Sequence, residues 1–337
     1  MHRKKQNLIS WNSSRATALR SAAAVLFRAA CVGAVFSLTS GAASAQTYGF
    51  ATLQPGALSY SMGSAVAKVF KEKAGINILV QPQGGDNVLV PMVGRGEIEL
   101  GIATASELHA QVAEGKLSDL RLIGTINPLR LGAWVRKDST IKTIADLKGK
   151  RVVLGFSAMR VFGDFTRATL ATGGLTEKDV IAVLAPNVNR GAEEFIAGSA
   201  DMFVHAYAAP KVREADATVG GIRQLEIDPK GMAAARKVSA WGYLSHVSPG
   251  SAHVGVLAPT TVLTVDNMLF TSAKVSPEFI YKVIETMEKN RDEMAKISPV
   301  LGEIPAADAY RQYGIPYHQG ALNYYKAHNI QVKPLPQ

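Results

Sequence analysis

The chain has a single cysteine, Cys31, among its 337 residues. It lies in an N-terminal segment that we expect to be removed, so the predicted mature chain contains no cysteine. This absence excludes disulfide bonds, cysteine nucleophiles and thiolate metal ligands from the mature protein. Histidine is also scarce, with seven in the chain and no H-E-x-x-H pattern. The sequence therefore carries no zinc-hydrolase signature.

Acidic residues are missing from residues 1–45, which hold six Lys or Arg. A basic start, an apolar run over Ala29–Leu38 and the triplet Ala43-Ser44-Ala45 predict a signal peptide cleaved after Ala45, and hence a periplasmic protein. The alternative is a membrane anchor, but Arg28 interrupts the apolar stretch, which is too short to span a bilayer. Cleavage leaves 31 basic against 27 acidic residues, so the net charge falls from +10 to +4. Nothing in the remaining pattern favours nucleic-acid binding.

Two segments share one plan. Gln83–Thr104 reads as a polar glycine-rich loop, a short helix, a turn with Gly96 and Glu99, and an apolar strand. Ala185–Tyr207 repeats that order, with Gly198 and Asp201 in the turn. A helix that starts after such a loop leaves free backbone N–H groups, which favour an anion. The repeat predicts two lobes of like architecture; the alternative is that any α/β protein repeats strand–loop–helix units.

The order of elements predicts where the chain would cross between lobes. Strands over 120–125 and 131–135 flank Asn127-Pro128, and a β-branched strand follows over 261–271. We therefore predict lobe 1 at 46–130 plus 261–337 and lobe 2 at 131–260. The two strands near 130–135 and 260–268 would form a hinge. Residues 277–297 are predicted to form one continuous helix, and Thr143–Arg151 a short helix that stops at Gly149.

Five patches together resemble a known family. They are Leu53–Tyr60, QGGDN…GRGEIELGIAT, IKTIADLKGKRVVLG, the strand Val262–Thr271, and YHQGALNYYKAH at 317–328. In these patches the chain is similar to the TAXI class of solute-binding proteins of TRAP (tripartite ATP-independent periplasmic) transporters. The resemblance implies an α/β, bilobed type II periplasmic-binding-protein fold, with no catalytic residues, cofactor or metal. The chain departs from the family at Gly56-Ala57-Leu58-Ser59-Tyr60, where Gly-Gly-x-Tyr-Tyr is usual.

By this resemblance a ligand lies between the lobes, where loops meet helices. The implied ligand residues are Ser59, Tyr60, Gly85, Asn87, Thr104, Ser106, Arg130, Ser157, Arg160, Asn189, Arg190 and Tyr207. Hydroxyls, helix N-termini and arginines suit a carboxylate. Related proteins bind glutamate or 2-oxoglutarate, so the expected solute is a small organic anion, either a dicarboxylate or an amino acid. The alternative for each residue is a structural role, as a helix cap, a packed aromatic or a solvated charge.

The expected function is capture of the solute by lobe closure and delivery to the membrane subunits of a TRAP transporter with a fused permease, the receptor acting as a monomer. The alternatives are an ABC-type or sensor-linked periplasmic binding protein, or a secreted enzyme. For the enzyme, Gly155-Phe156-Ser157-Ala158-Met159 begins like a nucleophile elbow but lacks its closing glycine.

Overall fold

The computed structural model describes residues 46–251 and 253–336. The predicted signal peptide lies outside the described residues. Within the described ranges, no helix combines the length and the apolar character that crossing a membrane requires. Residues from Thr47 onward form one compact unit.

Strands and helices alternate along most of the chain. The strands are β1 Thr47–Leu53, β2 Asn77–Gln83, β3 Leu100–Thr104, β4 Leu120–Arg136, β5 Arg151–Leu154, β6 Ile181–Leu184, β7 Phe203–Ala206, β8 Ile222–Gln224, β9 Tyr243–Val247 and β10 Thr260–Ser272. The helices are α1 Leu58–Ala74, α2 Asp86–Gly94, α3 Ala105–Ala113, α4 Arg160–Thr172, α5 Val188–Ile196, α6 Pro210–Val219, α7 Met232–Val238, α8 Pro277–Lys289, α9 Arg291–Ile297, α10 Ala306–Ala309 and α11 Gln319–Ala327.

Two long strands, β4 and β10, organise the sheets. The eight-stranded sheet has the order β2-β1-β3-β10-β4-β7, with β8 added to β4 and β9 added to β10; β5 and β6 form a separate parallel pair. Residues 267–270 of β10 pair with β3, whereas residues 260–264 pair with β9. Likewise, residues 131–136 of β4 pair with β7 and β8. One end of this strand pair therefore belongs with β1–β3, and the other end belongs with β7–β9.

The predicted interruption at Asn127-Pro128 is wrong, because β4 is continuous over 17 residues. Pro128 has no N–H to donate to the ladder. Strand β10 follows β4 past this point, with a shift of register between Asn267 and Met268. A local irregularity of this kind lets one strand bend and continue.

The repeated turn has the same hydrogen bond in both copies. The Glu99 carboxylate accepts a hydrogen bond from the backbone N–H of Gly49, the third residue of β1, at 2.6 Å. The Asp201 carboxylate accepts one from the N–H of Arg151, the first residue of β5, at 2.8 Å. Gly96 and Gly198 have φ of 77° and 80°, a left-handed conformation that glycine adopts readily. The first turn thus links the start of β3 to β1, and the second links the start of β7 to β5.

Two predicted helices differ in the structure. The single helix expected over 277–297 is interrupted at Asn290, whose φ of −122° is not helical. The Asn290 side chain donates to the carbonyl of Thr286 at 2.8 Å, and such side-chain bonds to the backbone compete with helical pairing. The helix expected from Thr143 shortens to a single turn at Ala145–Leu147, before β5 begins.

Candidate functional site

A cavity lies where several strands end and several helices begin. Its atom-free space is ≈ 460 Å³, including its open mouth. Most of the lining is apolar, and the polar side chains are few. The lining residues are Leu53, Ala57, Leu58, Ser59, Asp86, Ile102, Ala103, Thr104, Leu129, Met159, Phe162, Val188, His205, Ala206 and Asn267. A largely apolar pocket with a few polar groups is typical of small-molecule sites.

Five helices begin at this cavity. Helices α1 and α2 start without a side-chain cap, at Ala57 and Gly85. Helix α3 is capped by Thr104, whose Oγ1 accepts a hydrogen bond from the N–H of Glu107 at 3.1 Å. Helices α4 and α5 begin beside Met159 and Val188, which also line the cavity. The partial positive charges of these N-termini favour a negatively charged group of a ligand.

Asp86 brings a carboxyl group to the same cavity. It is the first residue of α2, only 7% exposed, and no described residue donates a hydrogen bond to its carboxylate or pairs with it. Burial raises the pKa of Asp86 well above its ordinary value of 3.8, and the nearby Glu107 carboxyl raises it further. Glu107 is itself 2% exposed and accepts from the Gln111 amide at 2.9 Å. Its pKa is likewise raised by burial.

His205 brings a ring nitrogen to the lining. The residue is 1% exposed, and its Nε2 lies 3.2 Å from Asn189 Oδ1. Because the Asn189 amide nitrogen donates to the carbonyl of Pro55, its Oδ1 is an acceptor, which assigns the ring proton to Nε2. Burial lowers the pKa of His205 to about 4, so the ring is neutral near pH 7. Its buried Nδ1 is then an acceptor with no donor among the described residues.

The loops beside the cavity touch each other through two similar asparagine contacts, which we call the loop contact. The Asn87 amide donates to the carbonyl of Ser157, and the Asn189 amide donates to the carbonyl of Pro55, each at 2.9 Å. Asn87 also donates its backbone N–H to the carbonyl of Ala158 at 3.3 Å. The loops that follow β1 and β5 are thereby each held by an asparagine at the start of a helix from the other repeat.

The structure places the predicted ligand residues in several different roles. Ser59 and Thr104 line the cavity. Gly85, Asn87, Ser157 and Asn189 lie at the loop contact. Of the others, Ser106 and Tyr207 are buried, each with a hydroxyl that has no partner among the described residues, and Tyr60 is half-buried in α1.

The three predicted arginines do not belong to the lining, and each is paired with a glutamate. Arg160 reaches Glu114 at 3.2 Å with 64% of its side chain exposed. Arg190 pairs with Glu193 on the same helix face and is 59% exposed. Arg130 is more buried and lies 2.7 Å from Glu303. No lysine or arginine of the described chain is among the residues that line the cavity.

Asp86, His205 and the apolar lining residues Leu58, Met159 and Phe162 were not among the predicted ligand residues. Asp86 lies inside the glycine-rich loop whose free N–H groups favour an anion, and an anion site gives an acid no role. His205 is the third of the four residues of β7 in the second repeat, so a histidine within an otherwise apolar strand was the available signal. In the sequence alone, nothing distinguishes these apolar lining residues from residues of the hydrophobic core.

Comparison with protein families gives a match to the NMT1-like family over residues 50–328. The chain belongs to the NMT1-like family. A Haemophilus influenzae relative, provisionally named as a thiamine biosynthesis protein, is 32% identical to this NMT1-like chain over 144 residues. That match covers 40% of the chain and only 44% of the relative.

Solved structures share the fold. A structure described as a periplasmic transporter matches 86% of this NMT1-like chain and 99% of its own, with a TM-score of 0.53 and 12% identity. The periplasmic aliphatic sulphonate binding protein SsuA of Escherichia coli matches 85% and 84%, with a TM-score of 0.48 and 19% identity. The predicted α/β, type II periplasmic-binding-protein fold is confirmed. Identities this low establish the fold alone.

Proposed function

We propose that this protein is an extracytoplasmic solute-binding protein that captures a small, carboxylate-bearing solute in the cavity and delivers it to a membrane transporter. The observation that carries the proposal is the convergence of five helix N-termini on a cavity whose lining includes the buried carboxyl of Asp86 and the unpartnered Nδ1 of His205. Such groups are costly to bury, and a ligand can supply the missing hydrogen bonds.

The carboxylate would lie at the start of α1. This helix is 17 residues long and has no side-chain cap, and its first two residues, Leu58 and Ser59, line the cavity. Ser59 Oγ accepts from the N–H of Leu53 at 3.1 Å, so its O–H can be donated to an anion. This arrangement supplies an anion site without any of the predicted arginines.

Capture would occur by closure of two lobes. Lobe 1 would comprise 46–130 and 261–337, and lobe 2 would comprise 131–260, with the hinge in β4 and β10. The pairing of the two ends of these strands with β3 and with β7–β9 supports that division. The loop contact would then join the lobes, so this conformation would be the closed one. A ligand that adds contacts to both lobes shifts the population toward it.

For delivery, we propose the membrane subunits of a TRAP transporter, with the receptor acting as a monomer. The support is the sequence resemblance to TAXI receptors over five patches that span the mature chain. The alternative, an ABC transporter, uses receptors of the same fold, so the fold does not separate the two. The neighbouring genes test this choice: a fused permease without an ATPase is expected, and an adjacent ATPase subunit would contradict it.

Binding itself is tested by isothermal titration calorimetry on the purified, extensively dialysed protein. The probes are the standard L-amino acids, 2-oxoglutarate and short monocarboxylic acids. At least one is expected to bind with a single site per chain. Failure of every carboxylate-bearing probe to bind would contradict the proposal.

A further inference from the structure

Two acceptors in the cavity lack donors. The Asp86 carboxylate is 7% exposed and receives no hydrogen bond from any described residue. His205 is 1% exposed, lines the same cavity, and has its Nδ1 without a partner among the described residues. Since Asn189 fixes the ring proton on Nε2, Nδ1 can only accept. Both groups are therefore suited to a ligand that donates hydrogen bonds.

Among the described residues, the rest of the lining offers no cationic side chain to a second carboxylate, and the acidic Asp86 occupies the start of α2. The lining contains no lysine or arginine of the described chain. The three predicted arginines lie outside it, and each forms an ion pair with a glutamate. The neutral imidazole of His205 is not a cation at neutral pH. Leu58, Met159 and Phe162 instead present apolar surface. A ligand with two carboxylates would leave one of them against apolar side chains, which is costly.

We propose that the cavity selects an α-amino acid with an uncharged side chain, whose ammonium group donates to Asp86. This inference rests on the proposed function, since it names the solute class of the same site. His205 Nδ1 accepts a second ammonium N–H, and the carboxylate lies at the start of α1. The side chain packs on Leu58 and its apolar neighbours. A dicarboxylate such as 2-oxoglutarate lacks the ammonium group and is rejected.

The test compares probes that differ only in the amino group. Calorimetry on the dialysed full protein uses L-alanine, L-valine and L-leucine against propionate, isovalerate and isocaproate. The remaining uncharged L-amino acids, L-glutamate and 2-oxoglutarate complete the set. We expect an uncharged amino acid to bind most tightly and its deaminated partner to bind roughly tenfold to a hundredfold more weakly, the range of a charged hydrogen bond.

Variants assign the effect to Asp86. Asp86→Asn keeps the shape but removes the charge, and we expect it to abolish most of the preference for the amino group. Asp292→Asn makes the same change at an exposed site on α9 and should leave the preference intact. Circular dichroism on each variant confirms folding before titration. Because the paired probes are also compared on the unaltered protein, the proposal remains testable if a variant does not fold.

The outcomes separate this inference from the function on which it rests. If a deaminated acid or 2-oxoglutarate binds as tightly as the best-binding amino acid, the inference is wrong while the solute-binding function stands. If Asp86→Asn retains the full amine preference, Asp86 is not the recognition residue. If no probe of any kind binds, the proposed function fails and this inference fails with it.

Discussion

Asp86 lines the cavity, is 7% exposed and has no hydrogen-bond donor among the described residues. Its pKa is raised by burial and by Glu107. The folded protein therefore holds the Asp86 proton to higher pH than the unfolded chain does. In that range the folded state binds more protons, so the contribution of Asp86 to stability falls as pH rises above 3.8.

The first prediction concerns stability without ligand. Asp86→Asn removes this penalty, so its stability relative to the unaltered protein should increase from pH 4 toward neutral pH. The gain is about 1.4 kcal/mol for each pH unit by which folding raises the pKa. Urea unfolding at a series of pH values measures the difference in unfolding free energy between variant and unaltered protein. For the control Asp292→Asn, this difference should not change with pH. His205 titrates in both proteins, so its contribution largely cancels in the difference. The Glu107 carboxyl loses its repulsion from Asp86 in the variant, which adds to the gain. A flat difference for Asp86→Asn would show that the carboxyl is not desolvated.

The second prediction concerns Arg160, which the sequence resemblance placed on the ligand. In the structure it makes an exposed ion pair with Glu114, and such pairs contribute less than about 1 kcal/mol. Arg160→Ala should therefore change the binding free energy of the best amino-acid probe by no more than that amount. Arg190→Ala, which breaks a similarly exposed pair, is the matched comparison. A loss of about 1.5–3 kcal/mol on Arg160→Ala alone, the size of a charged hydrogen bond, would return Arg160 to the site.

At the scale of elements, the loop contact leaves no room at one position. A Cβ added to Gly85 would lie 2.0 Å from the carbonyl oxygen of Ala158, whereas one added to Gly84 would meet nothing within 4 Å. Gly85 has an extended backbone, with a φ of 173°, so the substitution is not strained by its own conformation. The clash falls on the contact between the loops.

Gly85→Ala is accordingly predicted to force these loops apart and to weaken ligand binding by tenfold or more. Gly84→Ala makes the same chemical change one residue away and should leave affinity within about twofold, since it disturbs no packing. Calorimetry with the best amino-acid probe measures both. Equal affinities for the two variants would mean that the loop contact is not needed for binding.

Helices and strands were predicted from the sequence where the hydrophobic periodicity agreed with the residues that mark turns. The strand–loop–helix–turn–strand order of both repeats was predicted, because glycines and acids mark the turns and their hydrogen bonds are local. The continuity of β4 through Pro128 was not predicted, because pairing with β10 outweighs the local signal of a proline. The break at Asn290 depends on a side-chain bond that competes with the helix.

Site residues were harder to predict than elements. The predicted residues Gly85, Asn87 and Asn189 belong to the loop contact beside the candidate cavity. The sequence alone does not distinguish residues that join loops from residues that line the cavity. The difference depends on which side of each helix start faces inward. Asp86 lies between the predicted residues Gly85 and Asn87, but it lines the cavity whereas they lie at the loop contact.

At the scale of the whole molecule, the proposed capture requires two lobes that close on a solute. The proposed division into lobes at β4 and β10 predicts that a ligand shifts the protein toward the compact form. Small-angle X-ray scattering with and without the best amino-acid probe should show a smaller radius of gyration in its presence. In the Gly85→Ala variant, the radius without ligand should be larger than in the unaltered protein. An identical radius in all these states would contradict closure.

The most direct test of the central claim, that this cavity holds a small amino acid, is native mass spectrometry of the protein purified without denaturant and not dialysed. We predict a bound mass equal to that of an uncharged amino acid, present at one per chain and lost in Asp86→Asn. A bound mass that matches a dicarboxylate, or one retained unchanged in Asp86→Asn, would contradict it.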